Sequence, residues 1–357
     1  MAMEQAAART PEREAFYDRI GAYNMAPLWE RLHGLVTAQP TTPCLPAIWH
    51  YRAIRPYLMQ SGGLITAEEA ERRVLILENP GMRGESKATN TLFAGVQMIL
   101  PGEVAPSHRH TQSALRFIVE GEGAFTAVDG ERSTMREGDF IITPSWTWHD
   151  HGNDSDQPMV WLDGLDIPLI RFLDAGFAEN DTAQSQTLRD PEGTSFARFG
   201  HNMAPVRHDG AYASPYGQTS PLFNYPYVRS REALHGLERS TAVDAYDGFK
   251  LRYINPLTGL SPMPTMATFM QRLPAGFAGK PYRQTDGAVF SVVDGSAVAT
   301  LSRGEQVHTF NLEKRDTFVV PTWFTLQLAS SAGCTLFSYS DKPVQQALGV
   351  WKEQRLN

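Results

Sequence analysis

The spacing of apolar residues changes along the chain, from a helical period near the N-terminus to short strand-like runs further on. Between residues 11 and 36 the apolar side chains recur at about helical spacing, at Phe16, Ile20, Leu28, Leu32 and Val36. Residues 66–80 predict a second helix, with Thr66 as its N-cap, Glu69 three residues later and a Pro-Gly pair at its end. Residues 1–85 are therefore expected to form a helical arm.

From about Thr91 the pattern becomes that of short strands. Apolar runs such as LRFIVEG, GAFTAVDGE and REGDFIITPSW are separated by Gly, Pro and Asp-Gly turns, which is typical of an antiparallel sandwich or barrel. Residues 171–250 are rich in Gly, Pro and Ser and show no clear periodicity, so we interpret them as a long connection. The strand pattern returns from about Met266.

The two strand-rich halves can be laid over each other. Gly102 falls on Gly276 with an offset of 174 residues, RFIVEGEG falls on VFSVVDGS with an offset of 173, and GDFIITPSWTWH falls on RDTFVVPTWFTL with an offset of 177. Both copies carry a Pro-x-Trp step, at Pro144 and Pro321. Chance similarity between two β regions is the alternative, but the shared step favours an internal repeat of a β unit.

Composition excludes several classes of protein. The chain has 357 residues, of which 42% are hydrophobic, and its net charge of −7 argues against a nucleic-acid partner. The N-terminal sequence shows no apolar region of the kind that a secretory signal has, and no apolar run is long enough to span a membrane. Cys44 and Cys334 form neither a metal-spacing motif nor a disulfide framework, so a reducing cytoplasm is the expected location.

Four of the ten histidines lie within residues 108–151, as two pairs. His108 and His110 flank one residue and therefore point to the same side of a strand. His149 follows 39 residues after His110, about the length of three strands with their turns. Three imidazoles that converge inside a barrel would form a metal site with open positions, suited to Fe²⁺ or Zn²⁺. The remaining histidines outside the pairs are interpreted as surface or core residues: His33, His50, His201, His208, His235 and His308.

The spacing of the whole segment resembles the two-part signature of the cupin superfamily. Its matching positions are Gly102, His108, His110 and Gly121, then Gly138, Pro144, His149 and Asn153. The resemblance implies a jelly-roll β-barrel with the metal inside. Ala114 stands where cupins often supply a glutamate ligand, so the site is expected to have three neutral ligands and no carboxylate.

The second copy has lost these ligands. Tyr282, Gln284 and Leu326 stand at the equivalents of the three histidines. We therefore expect an all-β-dominated bicupin, with two jelly-roll barrels, one metal site and a second barrel that serves structure or assembly. The predicted parts are a helical arm (1–85), a first cupin with the metal site (86–170), a connection (171–255), a degenerate second cupin (256–345) and a tail (346–357).

Three segments give a closer resemblance: HRHTQSALRFIVEG, GDFIITPSWTWHDHGN and VWLDGLDIPL. Together with the degenerate second copy they resemble gentisate 1,2-dioxygenase and its salicylate- and 1-hydroxy-2-naphthoate-cleaving relatives, over about residues 70–350. The resemblance implies an Fe(II) enzyme, a homotetramer, that cleaves an aromatic hydroxy acid with O₂ in an extradiol-type reaction. Cleavage is expected between the carboxyl-bearing carbon and the neighbouring hydroxyl-bearing carbon.

The ligand count agrees with this chemistry. Three neutral histidines leave the site at charge +2, and a 2-hydroxybenzoate can chelate through its carboxylate and phenolate with charge −2. Three protein ligands and two substrate ligands leave one place for O₂ on an octahedral metal. Iron can couple substrate and oxygen, whereas Zn²⁺ has no redox chemistry.

Candidate substrate contacts come from arginines and a glutamine. Arg116 lies six residues after His110, an even step along the strand, so it is expected to face the same interior. An interior arginine without a partner is costly, which leaves a substrate carboxylate or a barrel-closing salt bridge as its partner. By resemblance, Arg116 binds the carboxylate, Arg72 on the helical arm assists and can reach across subunits, and Gln97 hydrogen-bonds the substrate.

The remaining candidates line the same interior. His151 shares a face with His149 and, by resemblance, is a polar pocket residue rather than a ligand, which Asp163 could orient. Gly95 lies two residues before Gln97 and should face the same side of its strand. Its missing side chain indicates either room beside the aromatic ring or a bend in the barrel.

Two other classes of function remain open at this point. One is a zinc cupin that catalyses an isomerisation or hydrolysis, which metal content and O₂ consumption would distinguish. The other is a non-enzymatic bicupin of the seed-storage or sensor kind, against which the intact histidine set and Arg116 argue. The sequence does not decide among gentisate, salicylate and 1-hydroxy-2-naphthoate.

Overall fold

A computed structural model describes residues 10–202 and 216–357 of the chain. The chain divides into two compact units, one up to Thr41 and one from Thr42 onward. His208, which the sequence assigned to the surface or the core, lies outside the described residues, as do parts of the predicted arm and connection.

The first unit contains helix α1 (Pro11–Gly21), a 3-10 turn (Leu28–Glu30) and the short helix α2 (Leu32–Leu35). The Thr10 side chain caps α1 by accepting a hydrogen bond from the Arg13 amide. The helical spacing predicted through residue 36 is interrupted because Asn24 adopts a positive φ of 56° and Pro27 cannot donate a helical hydrogen bond.

The helices of the second unit are short except for two of fourteen residues each. They are α3 (Tyr51–Leu64), α4 (Ala67–Ala70), α5 (Ile167–Phe172), α6 (Thr194–Phe199), α7 (Tyr227–Ser240) and α8 (Lys342–Ala347), with a 3-10 turn at Pro80–Met82. Among the described residues, no helix is long and apolar enough to cross a membrane. Cys44 and Cys334 are both buried and unpaired.

Strands are the most abundant regular secondary structure of the second unit. The first twelve are β1 (Ala47–Trp49), β2 (Val74–Ile76), β3 (Phe93–Ile99), β4 (Val104–His110), β5 (Ala114–Glu120), β6 (Glu122–Val128), β7 (Glu131–Arg136), β8 (Phe140–Thr143), β9 (His149–Asn153), β10 (Met159–Leu165), β11 (Ala178–Asn180) and β12 (Asn224–Tyr225). The others are β13 (Phe249–Arg252), β14 (Ala267–Leu273), β15 (Phe277–Ala278), β16 (Tyr282–Gln284), β17 (Ala288–Gly295), β18 (Ala297–Arg303), β19 (Gln306–Leu312), β20 (Thr317–Val320), β21 (Thr325–Ser330), β22 (Cys334–Ser340) and β23 (Glu353–Arg355).

These strands form two barrels with the same strand order. The first consists of sheets β12-β8-β5-β10-β3-β2 and β11-β4-β9-β6-β7, and the second of sheets β1-β20-β17-β22-β14-β13 and β19-β18-β21-β16-β23. A helix with an aspartate at its N-cap follows the last barrel strand in both copies. Asp166 accepts a hydrogen bond from the Ser113 amide, and Asp341 accepts one from the Gly287 amide. The predicted repeat and bicupin fold are confirmed.

The predicted helix over 66–80 is wrong beyond its first turn. Thr66 caps as expected, since its side chain accepts a hydrogen bond from the Glu69 amide, but α4 ends at Ala70. Glu71 then adopts a φ of 52°, and Val74, Leu75 and Ile76 form β2 against β3. The apolar residues 74–77 therefore complete a sheet edge instead of a helix face, because pairing with β3 satisfies their backbone groups.

The segments outside the barrels add strands to both of them. The predicted arm contributes β1 to a sheet of the second barrel and β2 to a sheet of the first, and the predicted connection contributes β11, β12 and helix α7. The sequence missed α3, which contains Pro56, and α7, in which only Leu234 is buried. The predicted part boundaries stay predictions.

The main core lies between the two barrels. Phe117 of the first barrel stacks on Phe337 of the second, with ring centroids 4.2 Å apart, and Leu58 of α3 belongs to the same cluster. Outward-facing residues of β3, such as Val96 and Met98, pack into this core. The alternate residues of β3 consequently face the interior of the first barrel.

Candidate metal centre

The three histidines meet because two adjacent strands carry them. His108 of β4 pairs directly with His149 of β9, and His110 lies two residues along on the same face of β4. The ring centroids lie 4.3 Å apart for His108–His149, 4.8 Å for His110–His149 and 5.3 Å for His108–His110. One ring nitrogen from each lies within 4.8 Å of the others, so a single metal ion can contact all three.

Backbone carbonyls lie beside the Nδ1 atoms of these rings and define the tautomer of His110 and His149. His110 Nδ1 lies 2.9 Å from the Gln112 carbonyl, His149 Nδ1 lies 3.0 Å from the Thr147 carbonyl, and His108 Nδ1 lies 3.4 Å from the Pro106 carbonyl. A ring that donates from Nδ1 presents the lone pair of Nε2 as a ligand. Burial is the largest influence on the pKa of all three, lowering it to about 3 for His108 and about 4 for His110, so both rings are neutral at pH 7.

Arg72 contacts the metal centre of its own chain. Its Nη2 lies 2.7 Å from the Pro106 carbonyl and 2.5 Å from His108 Nδ1. Burial, and then the charge of Arg116, lower the pKa of Arg72 to about 9. The neighbouring Arg73 points elsewhere, since both of its terminal nitrogens bind Glu103 at 2.7 Å. The sequence could not distinguish these two arginines, and the strand β2 that follows them decides which one faces the interior.

Arg116 is buried with incomplete pairing. It is 3% exposed, and its Nη1 donates to Thr143 Oγ1 at 2.6 Å. The nearest carboxylate oxygen, Asp163 Oδ1, lies 3.7 Å from Arg116 Nε, beyond hydrogen-bond distance. Arg116 Nε has no hydrogen-bond partner among the described residues. The desolvated charge lowers the pKa of Arg116 and leaves it able to bind an anion.

Cross-strand register puts the other candidates on the same inner face. Asp163 of β10 lies directly opposite both Arg116 of β5 and Gly95 of β3, and Gln97 lies two residues beyond Gly95. Gln97 is 3% exposed. A Cβ added to Gly95 would collide with Val74 Cγ1 and lie 3.0 Å from the Phe93 ring. Val74 and Phe93, which the sequence did not single out, therefore fill the space above Gly95.

The contact expected between Asp163 and His151 is not formed among the described residues. Asp163 Oδ1 instead accepts a hydrogen bond from Trp161 Nε1 at 3.0 Å and lies beside Arg116. Burial raises the pKa of Asp163 to about 6, against the opposing effect of Arg116. His151 is fully buried, 5.4 Å from the Trp161 ring and 6.0 Å from the His149 ring, and neither of its ring nitrogens has a partner in the described part of the chain.

The segment predicted as a connection adds strand β11 to the edge of β4, the strand that carries His108 and His110. β11 pairs with β4 so that Asn180 lies opposite His108, and Ser107 Oγ donates to Asp181 at 3.1 Å. Between the two ligand histidines, Arg109 points outward and lies 4.6 Å from the ring centres of both Trp146 and Trp148. The sequence gave no periodic signal for β11, because a three-residue edge strand is too short to show one.

The donor set fits a divalent metal with open coordination positions. Three neutral imidazoles with anchored Nδ1 atoms suit Fe²⁺ or Zn²⁺, and Ala114 offers no carboxylate. Around them, Arg116 and His151 carry buried polar atoms that lack partners in the described structure. A polar ligand beside the metal would satisfy those atoms.

Known proteins resemble the chain over nearly its whole length. The cupin domain family matches residues 95–165. A gentisate 1,2-dioxygenase of Aquipseudomonas alcaligenes is 50% identical over 99% of this chain and 100% of its own, and a 1-hydroxy-2-naphthoate 1,2-dioxygenase of a Nocardioides species is 35% identical over 98% and 89%. The crystal structure of a salicylate 1,2-dioxygenase from Pseudoaminobacter salicylatoxidans, as adducts with gentisate, matches with a TM-score of 0.91 and 32% identity over 99% and 97%. The chain thus belongs to the gentisate 1,2-dioxygenase family of ring-cleaving cupin dioxygenases.

Proposed function

We propose that the protein is an Fe(II)-dependent dioxygenase that cleaves gentisate between its carboxyl-bearing carbon and the adjacent hydroxyl-bearing carbon. The observation that carries this proposal is the set of unpaired buried polar atoms, Arg116 Nε and both ring nitrogens of His151, on the same interior as three metal-ligating imidazoles. A 2-hydroxybenzoate supplies a carboxylate for the arginine and oxygens for the metal and the imidazole.

His108, His110 and His149 are the proposed iron ligands, through Nε2. When bound, iron(II) supplies the redox chemistry that allows an aromatic substrate to react with O₂. The three rings stay neutral because burial depresses their pKa, so the charge of the ion is left for the substrate's carboxylate and phenolate to balance.

Arg116 is the proposed primary contact of the substrate carboxylate. Its Nη1 donates to Thr143, and its Nε has no hydrogen-bond partner among the described residues. A charge-assisted contact in this buried position is stronger than one at the surface because little water competes for it. Asp163, at 3.7 Å, would act through Arg116 by fixing its orientation, which replaces the role first expected for it beside His151.

Arg72 is the proposed second carboxylate contact. In its present position it lies 2.5 Å from His108 Nδ1, a contact that requires this nitrogen to accept a hydrogen bond. Ligation through Nε2 instead requires the proton on Nδ1, where the Pro106 carbonyl can accept it. With the proton on Nδ1, His108 could no longer accept a hydrogen bond from Arg72, and Arg72 would be free to turn toward the substrate within its own chain.

His151 and Gln97 are the proposed polar contacts of the remaining substrate oxygens or of O₂. A neutral His151 can donate one hydrogen bond and accept another, and burial holds its pKa well below the ordinary value. The Gln97 side-chain amide makes no hydrogen bond with the described residues and lies on the same face as Gly95. Both can serve a substrate without giving up an existing partner.

Gentisate is preferred over 1-hydroxy-2-naphthoate as the substrate for two reasons. The relative named for gentisate is 50% identical, against 35% for the one named for 1-hydroxy-2-naphthoate. Val74 and Phe93 also close the space above Gly95, which leaves less room for a second fused ring. The hydroxyls of gentisate are not adjacent, so the term extradiol does not describe this cleavage strictly.

Ultraviolet spectra and O₂ consumption test the proposal. Purified protein would be mixed in air with added Fe(II) and, in turn, gentisate, salicylate or 1-hydroxy-2-naphthoate. Gentisate should be converted to a ring-opened product with one O₂ consumed per molecule, at a higher kcat/KM than the other two acids. Turnover with Zn²⁺ alone, or without loss of O₂, would point to the non-oxidative cupin alternative.

The resemblance also implies a homotetramer, and we include this in the proposal. Light scattering of the eluting protein should give a mass of four chains, and a monomer would contradict it.

A further inference from the structure

The second barrel encloses a cavity of about 170 Å³ at the place that the metal centre occupies in the first. Tyr282 pairs directly with Leu326, as His108 pairs with His149. Both residues line the cavity, and so does Gln284, which corresponds to His110. The loss of the metal ligands has therefore not filled the interior of this barrel.

The walls around this cavity correspond to those of the first site. Phe269, Ser338 and Phe290 lie directly opposite one another across β14, β22 and β17. Their equivalents in the first barrel are Gly95, Asp163 and Arg116, on β3, β10 and β5. All three second-barrel residues line the cavity, together with Phe324. Phe269 and Phe290 thus replace Gly95 and Arg116, while Ser338 replaces Asp163, so two sides of the cavity are apolar.

Hydroxyl groups without partners face the same space. Tyr282 is 4% exposed and Ser338 is 3% exposed, and neither side chain donates or accepts a hydrogen bond with the described residues. Buried hydroxyls are satisfied in the great majority of native structures. Two hydroxyls without a partner among the described residues are therefore available to a polar molecule in this cavity.

The charged groups that line the cavity are four cations and three carboxylates: Lys250, Arg283, Lys342 and Arg355, and Asp247, Asp286 and Glu353. Asp247 binds Lys250 at 3.0 Å and Glu353 binds Arg355 at 2.9 Å, while Asp286 accepts a hydrogen bond from Trp351. Lys342, in contrast, makes no hydrogen bond or ion pair through Nζ with the described residues, and lies 3.9 Å from the centre of the Trp351 ring. Burial lowers the pKa of Lys342. The unmatched charge at the cavity is therefore positive.

We propose that the second barrel binds a small aromatic carboxylate with a single ring. The carboxylate would contact Lys342 and the Tyr282 hydroxyl, and the ring would pack between Phe290 and Phe324. The size agrees, since an engineered apolar cavity of about 150 Å³ accommodates benzene. This ligand has the chemistry of the proposed substrate, but the second site needs no metal and no reaction, so it can be tested apart from ring cleavage.

Benzoate is the probe, and calorimetric titration of the full-length protein is the measurement. In an Arg116→Ala background, which weakens the first site, benzoate should still bind with one molecule per chain. Tyr282→Phe and Lys342→Met, each added to that background, should weaken binding about tenfold, the order expected for one lost hydrogen bond to a charged group. Lys314→Met, whose lysine binds Glu137 outside the cavity, is the matched control and should leave the affinity unchanged. Benzylamine, of similar size but opposite charge, should not bind.

A second measurement keeps the test decisive if Arg116→Ala does not fold. The ¹⁹F spectrum of 4-fluorobenzoate with the otherwise unchanged protein should show two bound signals, one for each barrel. Tyr282→Phe and Lys342→Met should each remove the signal of the second barrel, while gentisate turnover persists. A single bound signal, equal affinities across the variants, or binding of benzylamine would overturn the proposal and leave water as the occupant. Loss of ring cleavage in the same variants would also contradict it, because these residues lie outside the first barrel's site.

Discussion

His108 pairs with His149 across two adjacent strands of the first barrel, and Tyr282 pairs with Leu326 at the corresponding position of the second barrel. Strand order and register are shared, and the capping aspartates after the last strand are shared as well. What differs is the set of side chains on the inner faces. The backbone of a cupin barrel therefore does not determine its chemistry, and exchange of a few inward residues separates a metal centre from a phenylalanine-lined cavity.

The inner rows show how far the exchange goes. In the first barrel the row across β3, β10 and β5 is Gly95, Asp163 and Arg116, which keeps charged groups beside the metal site. In the second barrel Phe269 and Phe290 occupy two of these positions, and the core there includes Phe318 stacked on Phe290 at 4.8 Å. The first barrel forgoes apolar packing that the second retains, as expected when a site must hold a polar ligand.

The largest effect should come from removing a ligand of the first barrel. His108→Ala should lose bound iron and ring-cleaving activity together, because two imidazoles cannot hold the metal in an open site. Gln284→Ala, at the matched position of His110 in the second barrel, should retain both. Metal analysis with O₂ consumption would check this, and an active His108→Ala variant with iron still bound would refute the ligand assignment.

The next effect concerns the inward arginine. Arg116→Ala should keep iron while kcat/KM for gentisate falls by tens to thousands of fold, since a buried charge-assisted contact contributes about 2–5 kcal/mol. Arg116→Lys should recover little, because an ammonium group cannot make two parallel hydrogen bonds to a carboxylate. Steady-state kinetics and metal content are the measurements.

Phe290, the counterpart of Arg116, supplies the control: Phe290→Leu should change stability but not kcat/KM. If Arg116→Ala unfolds the protein instead, Arg116 closes the barrel with Asp163 and does not primarily serve the substrate.

A smaller effect is expected at Gly95. An added methyl would push Val74 and Phe93 into the pocket, at a cost of about 1–3 kcal/mol if they cannot relax. Gly95→Ala should spare gentisate turnover while activity on other salicylates drops. Val74→Ala combined with Gly95→Ala should restore part of the lost activity on other salicylates, because it removes the side chain nearest to the added methyl. Ratios of kcat/KM across substituted salicylates would test this, and parallel losses for every substrate would mean that Gly95 serves the backbone alone.

The smallest expected effect is on the number of protons that the protein releases when it binds the metal. A histidine whose pKa is depressed in the folded protein is already neutral above that pKa, so it has no proton to lose to a metal. With the pKa of His108 at about 3 and of His110 at about 4, iron binding at pH 6 should release almost no protons. Three imidazoles of ordinary pKa would release about two. Calorimetry in buffers of different ionisation enthalpy gives the number, and release of two protons would show that the rings are charged before the metal binds.

Sequence reasoning reached the repeat and the histidine triad because both depend on local spacing. The step from His108 to His110 fixes a shared face in any strand, and the Pro-x-Trp step marks both copies. It failed at residues 66–80, where a correct cap at Thr66 begins a helix of only four residues. A short apolar run is compatible with both a helix and an edge strand, and the sequence alone does not show whether a neighbouring strand pairs with it.

The contacts between strands could not be predicted for the same reason, since the sequence does not show which strands are neighbours. Asp163 lies opposite Arg116 rather than beside His151, and Val74 lies over Gly95, only because β10 and β2 flank the strands that they do. Arg72 and Arg73 are adjacent in sequence, yet one contacts His108 and the other binds Glu103. Such choices depend on register, which no single segment contains.

The central claim is that one barrel of two holds iron and performs the reaction. The most direct test is to count the metal in protein reconstituted anaerobically with Fe(II), and then to follow gentisate and O₂ together on admitting air. The account predicts one iron per chain, one O₂ consumed per gentisate cleaved, and no turnover when zinc replaces iron. Two tightly bound metals per chain, or full activity with zinc alone, would contradict it.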